Sequence, residues 1–329
     1  MINRLKNIGI ALLLLASNTA LALPTAKVTL KVVDDQGVPV EGAEVRAGFE
    51  SPGGYWQAGR IVFDSGYTDS DGIHVASSST SGRVGYRIEK EGYYETGGSF
   101  TDFSGVSGVY GIRRWQPWNP ILEVELRKIR NPIPLYAKGV EKLKIPELNR
   151  PIGYDLIAGD WVIPFGQGTT ADFVFTFEKH YQSMADFSYR MLVSFVSPSD
   201  GLLPVRASVR NGSQLLLPHH APTDGYRSEY KWGKSVTPTK HGISDRRDVG
   251  EPQTDDLNFF FRVRSQYNSQ GELESALYGK IYSPIAVGGY YNEKAHLSFT
   301  YYLNPTSNDT NLEWDRSANL FNTGLKDTQ

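Results

Sequence analysis

Ala26-Lys27-Val28-Thr29-Leu30-Lys31-Val32-Val33-Asp34-Asp35-Gln36-Gly37-Val38-Pro39-Val40-Glu41-Gly42-Ala43-Glu44-Val45 decides the reading of the fold. Val28, Leu30 and Val32 fall on every second position, so they share one face of an extended strand, with Thr29 and Lys31 on the other. Asp34-Asp35-Gln36-Gly37 then supplies a turn, because Asp side chains accept bonds from nearby backbone N–H groups and Gly tolerates positive φ. Val38 to Val45 reads as a short strand-turn-strand unit. The period is two, not 3.6, and it persists outward from here. Tyr67 to Val75 places Asp69-Ser70-Asp71-Gly72 between two short strands, Val84–Tyr94 follows, and Ile121–Arg127 alternates cleanly.

Three of these blocks, Val33–Val45, Thr68-Asp69-Ser70-Asp71-Gly72 and Lys90-Glu91-Gly92-Tyr93, stand in order and at compatible spacing. Together they make residues 26–129 resemble a carboxypeptidase regulatory-like domain. The resemblance implies a small transthyretin-like or Ig-like β-sandwich acting as an accessory or spacer module without catalysis. Ser51–Ile61 and Gly97–Trp118 exceed the minimal pattern and are expected to be extended loops, where such modules acquire binding surfaces. Asp69–Gly72 also mimics part of a calcium loop. With Gly72 at the sixth place, however, the first and twelfth would be Tyr67 and Ser78, and the needed carboxylates are missing.

The strand pattern continues beyond residue 150. Phe173, Phe175 and Phe177 alternate with Val174, Thr176 and Glu178. Phe187–Val196 is a further strand, Ser197–Gly201 a turn, and Leu257–Tyr267 and Leu273–Tyr282 flank the hairpin turn Asn268-Ser269-Gln270-Gly271. Ala295, Leu297, Phe299, Tyr301 and Leu303 share a late strand face. The closing run Tyr301–Pro305 and Asn311–Asp315 resembles exported bacterial proteins and implies no activity. No convincing helix interrupts the series. The expected class is all-β, a β-sandwich followed by a larger sandwich or jelly-roll-like domain. The expected division is 23–130 for the first domain, 131–150 for a Pro-broken, mildly basic linker, and 151–329 for the second.

Composition narrows function. The chain has 329 residues, 34 Lys+Arg against 36 Asp+Glu, and no Cys. Without a basic excess it has no means of neutralising a phosphate backbone, so nucleic acid is not an expected partner. Residues 1–22 combine Arg4 and Lys6, the apolar run Ile8–Ala16, and Ala20-Leu21-Ala22. That is the layout of a signal peptide cleaved near Ala22. The expected destination is the periplasm or the medium, with no transmembrane segment in the mature chain. The strands also lack the regular lipid-facing segments of about ten residues that outer-membrane barrels use. An exported chain without disulfides must rely on core burial, and 15 Phe, 19 Tyr and 6 Trp provide the material.

No chemistry motif emerges. The six histidines, His74, His180, His219, His220, His241 and His296, include no His-x-x-Glu and no His-Glu-x-x-His. The pair His219-His220 is the one weak metal candidate; in a strand its rings would point to opposite faces. Gly105-Val106-Ser107-Gly108-Val109 misses the final Gly of a nucleophile elbow, and Gly233-Lys234-Ser235 lacks the leading Gly of a phosphate loop. No catalytic residue, cofactor or metal is therefore assigned. What remains is an aromatic and cationic group in the long loops: Tyr55, Trp56, Tyr110, Arg113, Arg114, Trp115 and Trp118. Flat rings stack and Arg supplies a fork of donors, so this set is the expected recognition surface, unless the rings fill a domain interface. The sequence reads as a non-catalytic binding protein of the bacterial envelope recognising a protein or glycan. A hydrolase with an unrecognised site in the second domain, and a protein neutralising a toxin or inhibitor, stay open.

Overall fold

The computed structural model describes residues 23–53, 59–108, 112–207, 212–239, 244–291, 294–314, 316 and 318–321. The protein is all-β, with two successive sandwiches and no helix among the described residues. None of the described segments is a helix long and apolar enough to cross a membrane.

The first sandwich uses β1 (Thr25–Asp34), β2 (Glu44–Ser51), β3 (Arg60–Tyr67), β4 (Ile73–Ser79), β5 (Val84–Glu89), β6 (Thr96–Phe100), β7 (Gly105–Ser107), β8 (Arg114–Gln116) and β9 (Ile121–Leu126). One sheet runs β4-β1-β8-β7, with β9 lying parallel to β1 from Thr29↔Ile121 to Asp34↔Leu126. The other runs β3-β2-β5-β6. Val28, Leu30 and Val32 of β1 bury against Val45, Ala47 and Phe49 of β2 and Val84 and Ile88 of β5, as period-two alternation requires. The Asp69–Gly72 turn closes as a turn should: Asp69 Oδ1 accepts from the N–H groups of Asp71 and Ile73, and Gly72 has φ +72. A Cβ on Gly72 would meet the Val32 carbonyl at 2.3 Å, so this turn also needs Gly for its close approach to β1. The stretch expected as a long loop from Gly97 to Trp118 instead contains most of β6 and all of β7 and β8. These strands are too short, at three to five residues, for alternation to register.

The second sandwich uses β10 (Tyr136–Lys144), β11 (Pro151–Asp155), β12 (Asp160–Trp161), β13 (Phe173–Ser183), β14 (Asp186–Ser194), β15 (Gly201–Arg206), β16 (Glu229–Pro238), β17 (Ser244–Gly250), β18 (Leu257–Tyr267), β19 (Leu273–Gly288) and β20 (His296–Leu303). Its sheets run β10-β20-β19-β18-β15 and β12-β11-β13-β14-β16-β17. Phe173, Phe175 and Phe177 from one sheet face Phe259, Phe261, Phe299 and Tyr301 from the other in a largely aromatic core. Each such ring removes roughly 150–250 Å² from water on burial, which lets the domain stand without disulfides. The linker expected over 131–150 is corrected here. Residues 136–144 are β10, paired with β20, and Leu135 and Ala137 are buried. The reason is a bulge: the register shifts between Val140 and Leu143, with Lys142 at φ +47, and this breaks the alternation that would have announced a strand.

A bulge also brings a half-buried Arg264 onto two buried carboxylates. Register shifts in β18 after Val263, and Arg264 sits at φ +56. Its guanidinium forks onto Asp172, Nε to Oδ1 at 2.7 Å and Nη2 to Oδ2 at 2.8 Å, and Nη2 also reaches Asp155 Oδ1 at 3.0 Å.

Candidate functional site

Adjacent antiparallel strands place side chains at alternate positions on one face. On the outer face of the β10-to-β15 sheet this puts Lys280 opposite Tyr302, and Tyr282 opposite Thr300. Two further segments cover that face. The chain leaving β20 folds back through Asn304, whose amide donates to Asp309 O and Asn311 O, and delivers Trp314 to within 5.2 Å of the Tyr302 ring. The first sandwich approaches from the other side. Its β6 pairs with residues 212–214 through a Thr96↔Ser213 bridge, Gly97 N–H to Gly212 O at 3.2 Å and Gln214 N–H to Glu95 O at 2.9 Å.

Between these parts lies a cleft of about 500 Å³ at the junction of the two sandwiches. Tyr282, Tyr302 and Trp314 supply ring surface; Glu95, Ser213, Gln214 and Thr300 supply neutral or acidic polar groups; Lys280 and Arg316 supply positive charge. A shallower depression of about 750 Å³ on the first sandwich is lined by Glu44, Glu89, Glu91 and Glu95 with Tyr67 and Tyr93. The cleft differs from it in holding a buried ionisable group.

That group is Lys280, 1% exposed. Its Nζ donates to Leu312 O at 2.7 Å and stands 4.8 Å from the Tyr282 ring centroid and 5.3 Å from that of Tyr302. Burial, aided by the like charge of Arg127 and opposed by Glu313, pulls its ammonium down to about 7. Burial pushes the Tyr302 phenol up to about 12 and the Tyr282 phenol up as well, so both remain protonated near neutrality. The sign of the linkage for Lys280 is definite. Between pH 7 and 10.5 the unfolded chain binds a proton that the folded chain lacks, so Lys280 makes stability rise with pH across that window. Lys280→Met is expected to remove about 1–3 kcal/mol of that rise. Urea unfolding at several pH values would show it, and parallel curves for the two proteins would refute it.

Beside the cleft, Glu313 joins the two sandwiches. Its carboxylate, 1% exposed, accepts from Tyr94 Oη at 3.1 Å, Arg130 N–H at 2.7 Å and Asn131 N–H at 2.7 Å. Asn311 Nδ2 donates to Asn131 O at 2.8 Å nearby.

Of the residues singled out from sequence, those that are described fall elsewhere. Tyr55, Trp56 and Tyr110 lie outside the described residues. Trp115 is half-buried against the core of the first sandwich: its Nε1 donates to Thr80 O at 2.9 Å and its ring packs on Phe103 and Gly82. Arg113 is tied by its carbonyl to Thr25 N–H. Arg114 stacks over Trp118 at 4.7 Å, so of the set this pair alone is brought together among the described residues. The weak metal candidates His219 and His220 meet different surroundings. His219 Nε2 is buried 2.7 Å from Lys128 O, where as N–H it donates, while His220 is exposed beside Thr310. No group of three or more His, Asp or Glu among the described residues is placed to hold a metal.

Sequence reasoning missed Lys280 and Glu313. A signal for the first existed: Lys280 alternates with Tyr278 and Tyr282 while Leu277 and Ile281 fill the other phase, so a lysine stands in a strand apolar on both faces.

No protein-family model matches the chain, and no curated protein matches it. Solved structures do. The 3-chlorocatechol 1,2-dioxygenase of Rhodococcus opacus matches 33% of this chain and 61% of its own at 11% identity and a TM-score of 0.26. The shaft pilin SpaA of Lactobacillus rhamnosus matches 90% of this chain and 96% of its own at 10% identity and a TM-score of 0.22. BcpA, the major pilin subunit of Bacillus cereus, matches 84% and 95% at 10% identity and a TM-score of 0.24.

Proposed function

We propose that the chain is an exported, non-catalytic binding protein of the bacterial envelope, and that the cleft between its sandwiches takes a glycan. One observation carries this reading: in about 500 Å³, the rings of Tyr282, Tyr302 and Trp314 stand beside Ser213, Gln214 and Thr300. Sugars present C–H faces that stack on rings and hydroxyls that pair with neutral polar groups, and the volume lies in the range of small-ligand sites. Residues 1–22 direct export in this reading. The regulatory-like module of residues 26–129 serves as a roof, since Glu95 and Gly97 border the cleft.

Binding of purified saccharides to the full chain, first on an array and then by calorimetry, tests the reading. Gln214→Ala and Thr300→Val are expected to weaken binding by about 2–10-fold each, the worth of one neutral hydrogen bond. Absence of saccharide binding at millimolar concentration, or binding indifferent to both changes, would reject it.

A further inference from the structure

Simple glycan recognition has no use for a buried amine. Lys280 is enclosed by Tyr282 and Tyr302, two of the rings that wall the cleft, and among the described residues a single acceptor, Leu312 O, holds its Nζ. Of the charged groups near it, Glu313 spends its oxygens on Tyr94 and the N–H groups of Arg130 and Asn131, and Arg127 pairs with Glu125. Among the described residues, no carboxylate pairs with Lys280 the way a partner in a surface ion pair would.

We propose that Lys280 is a covalent capture residue, whose amine condenses reversibly with an aldehyde entering the cleft, the open-chain end of a reducing sugar being the class that the hydroxyl and amide lining suits. The proposal rests on the cleft being the ligand site. The Nζ lone pair attacks the carbonyl carbon, forming the C–N bond while the C=O π pair moves to oxygen. A proton passes from nitrogen to that oxygen, giving a carbinolamine. Loss of water then leaves the imine, so one amine and one aldehyde yield one imine and one water, with no oxidant or reductant. The depressed basicity of Lys280 supports the step: near pH 7 about half of such an amine is free base, against roughly one in three thousand for an ordinary lysine. Desolvated lysines act as carbonyl nucleophiles for this reason.

The test uses the full chain with glycolaldehyde and sodium cyanoborohydride at pH 7, followed by digestion and mass spectrometry. Lys280 is expected to be alkylated at least tenfold faster than the exposed Lys142 and Lys231, and unfolding in urea should abolish the preference. Lys280→Arg should lose the fast modification while keeping the near-ultraviolet circular dichroism of the parent. If that variant does not fold, protection of Lys280 in the parent chain by a bound non-reducing saccharide takes its place. Modification of Lys280 no faster than of the exposed lysines overturns the capture proposal. Should saccharides still bind by calorimetry in that case, the glycan reading stands alone. Fast Lys280 modification without any saccharide binding would instead keep aldehyde capture and remove the glycan.

Discussion

Glu313→Ala is expected to lower the unfolding free energy by about 3–5 kcal/mol, the cost of breaking a buried charged hydrogen-bond set. The carboxylate serves three donors, and two of them, the N–H groups of Arg130 and Asn131, belong to the chain between the sandwiches. Alanine leaves those part-buried N–H groups without their acceptor and frees the Tyr94 hydroxyl from its tie to the second sandwich. Glu313→Gln should cost less, because one amide oxygen still accepts, though its NH2 opposes a donor. The effect is expected to reach beyond a shifted midpoint. With its junction loosened, the chain should melt in two calorimetric transitions where the parent melts in one. A single transition within about 0.5 kcal/mol of the parent would contradict this, since that is the effect of an ordinary surface change.

Arg264→Ala is the second large loss, about 3–5 kcal/mol at neutral pH. Asp172 has a fully buried side chain, and its partner is the Arg264 fork together with the Leu156 N–H. Burial already pushes the Asp172 carboxyl up, with Arg264 pulling against it. Removing the guanidinium removes that pull, so Asp172 should rise further. A carboxyl raised in the folded state gains protons on folding, so stability increases as pH falls through its window. The deficit of Arg264→Ala should therefore shrink between pH 7 and pH 5, as read by urea midpoints. Asp155 should not follow. Although burial works against it, the N–H groups of Ala158, Thr169 and Thr170, with Arg264, hold its carboxyl below the usual range. Arg264→Lys keeps the charge but loses the fork, and should fall between the two.

What could be read from the chain followed from regularity. Phe173-x-Phe175-x-Phe177 and the turn Asn268–Gly271 are local patterns, and both appear as expected, in β13 and in the β18–β19 hairpin. β10 was hidden because its alternation breaks at Lys142, and Arg264 because a bulge, not a period, aims it across the core. The cleft was illegible for a different reason. Glu95, Gln214, Lys280, Tyr302 and Trp314 are brought together by pairing between two sandwiches and by a loop folding back, and no spacing in one dimension encodes that convergence. Trp115, in the three-residue β8, has its indole N–H committed to Thr80, a contact that no spacing in the sequence announces.

The parallel pairing of β1 with β9 has a mechanical meaning. The chain enters the first sandwich at the start of β1 and leaves it at the end of β9, which lie at opposite ends of one ladder. Tension applied between those two points pulls the strands along their length in opposing directions. The hydrogen bonds from Thr29 to Asp34 are then loaded together in shear and must yield as a block, whereas an antiparallel hairpin pulled at its open end would unzip one rung at a time. Pulled between the start of β1 and the end of β9, the first sandwich would therefore resist as one sheared block.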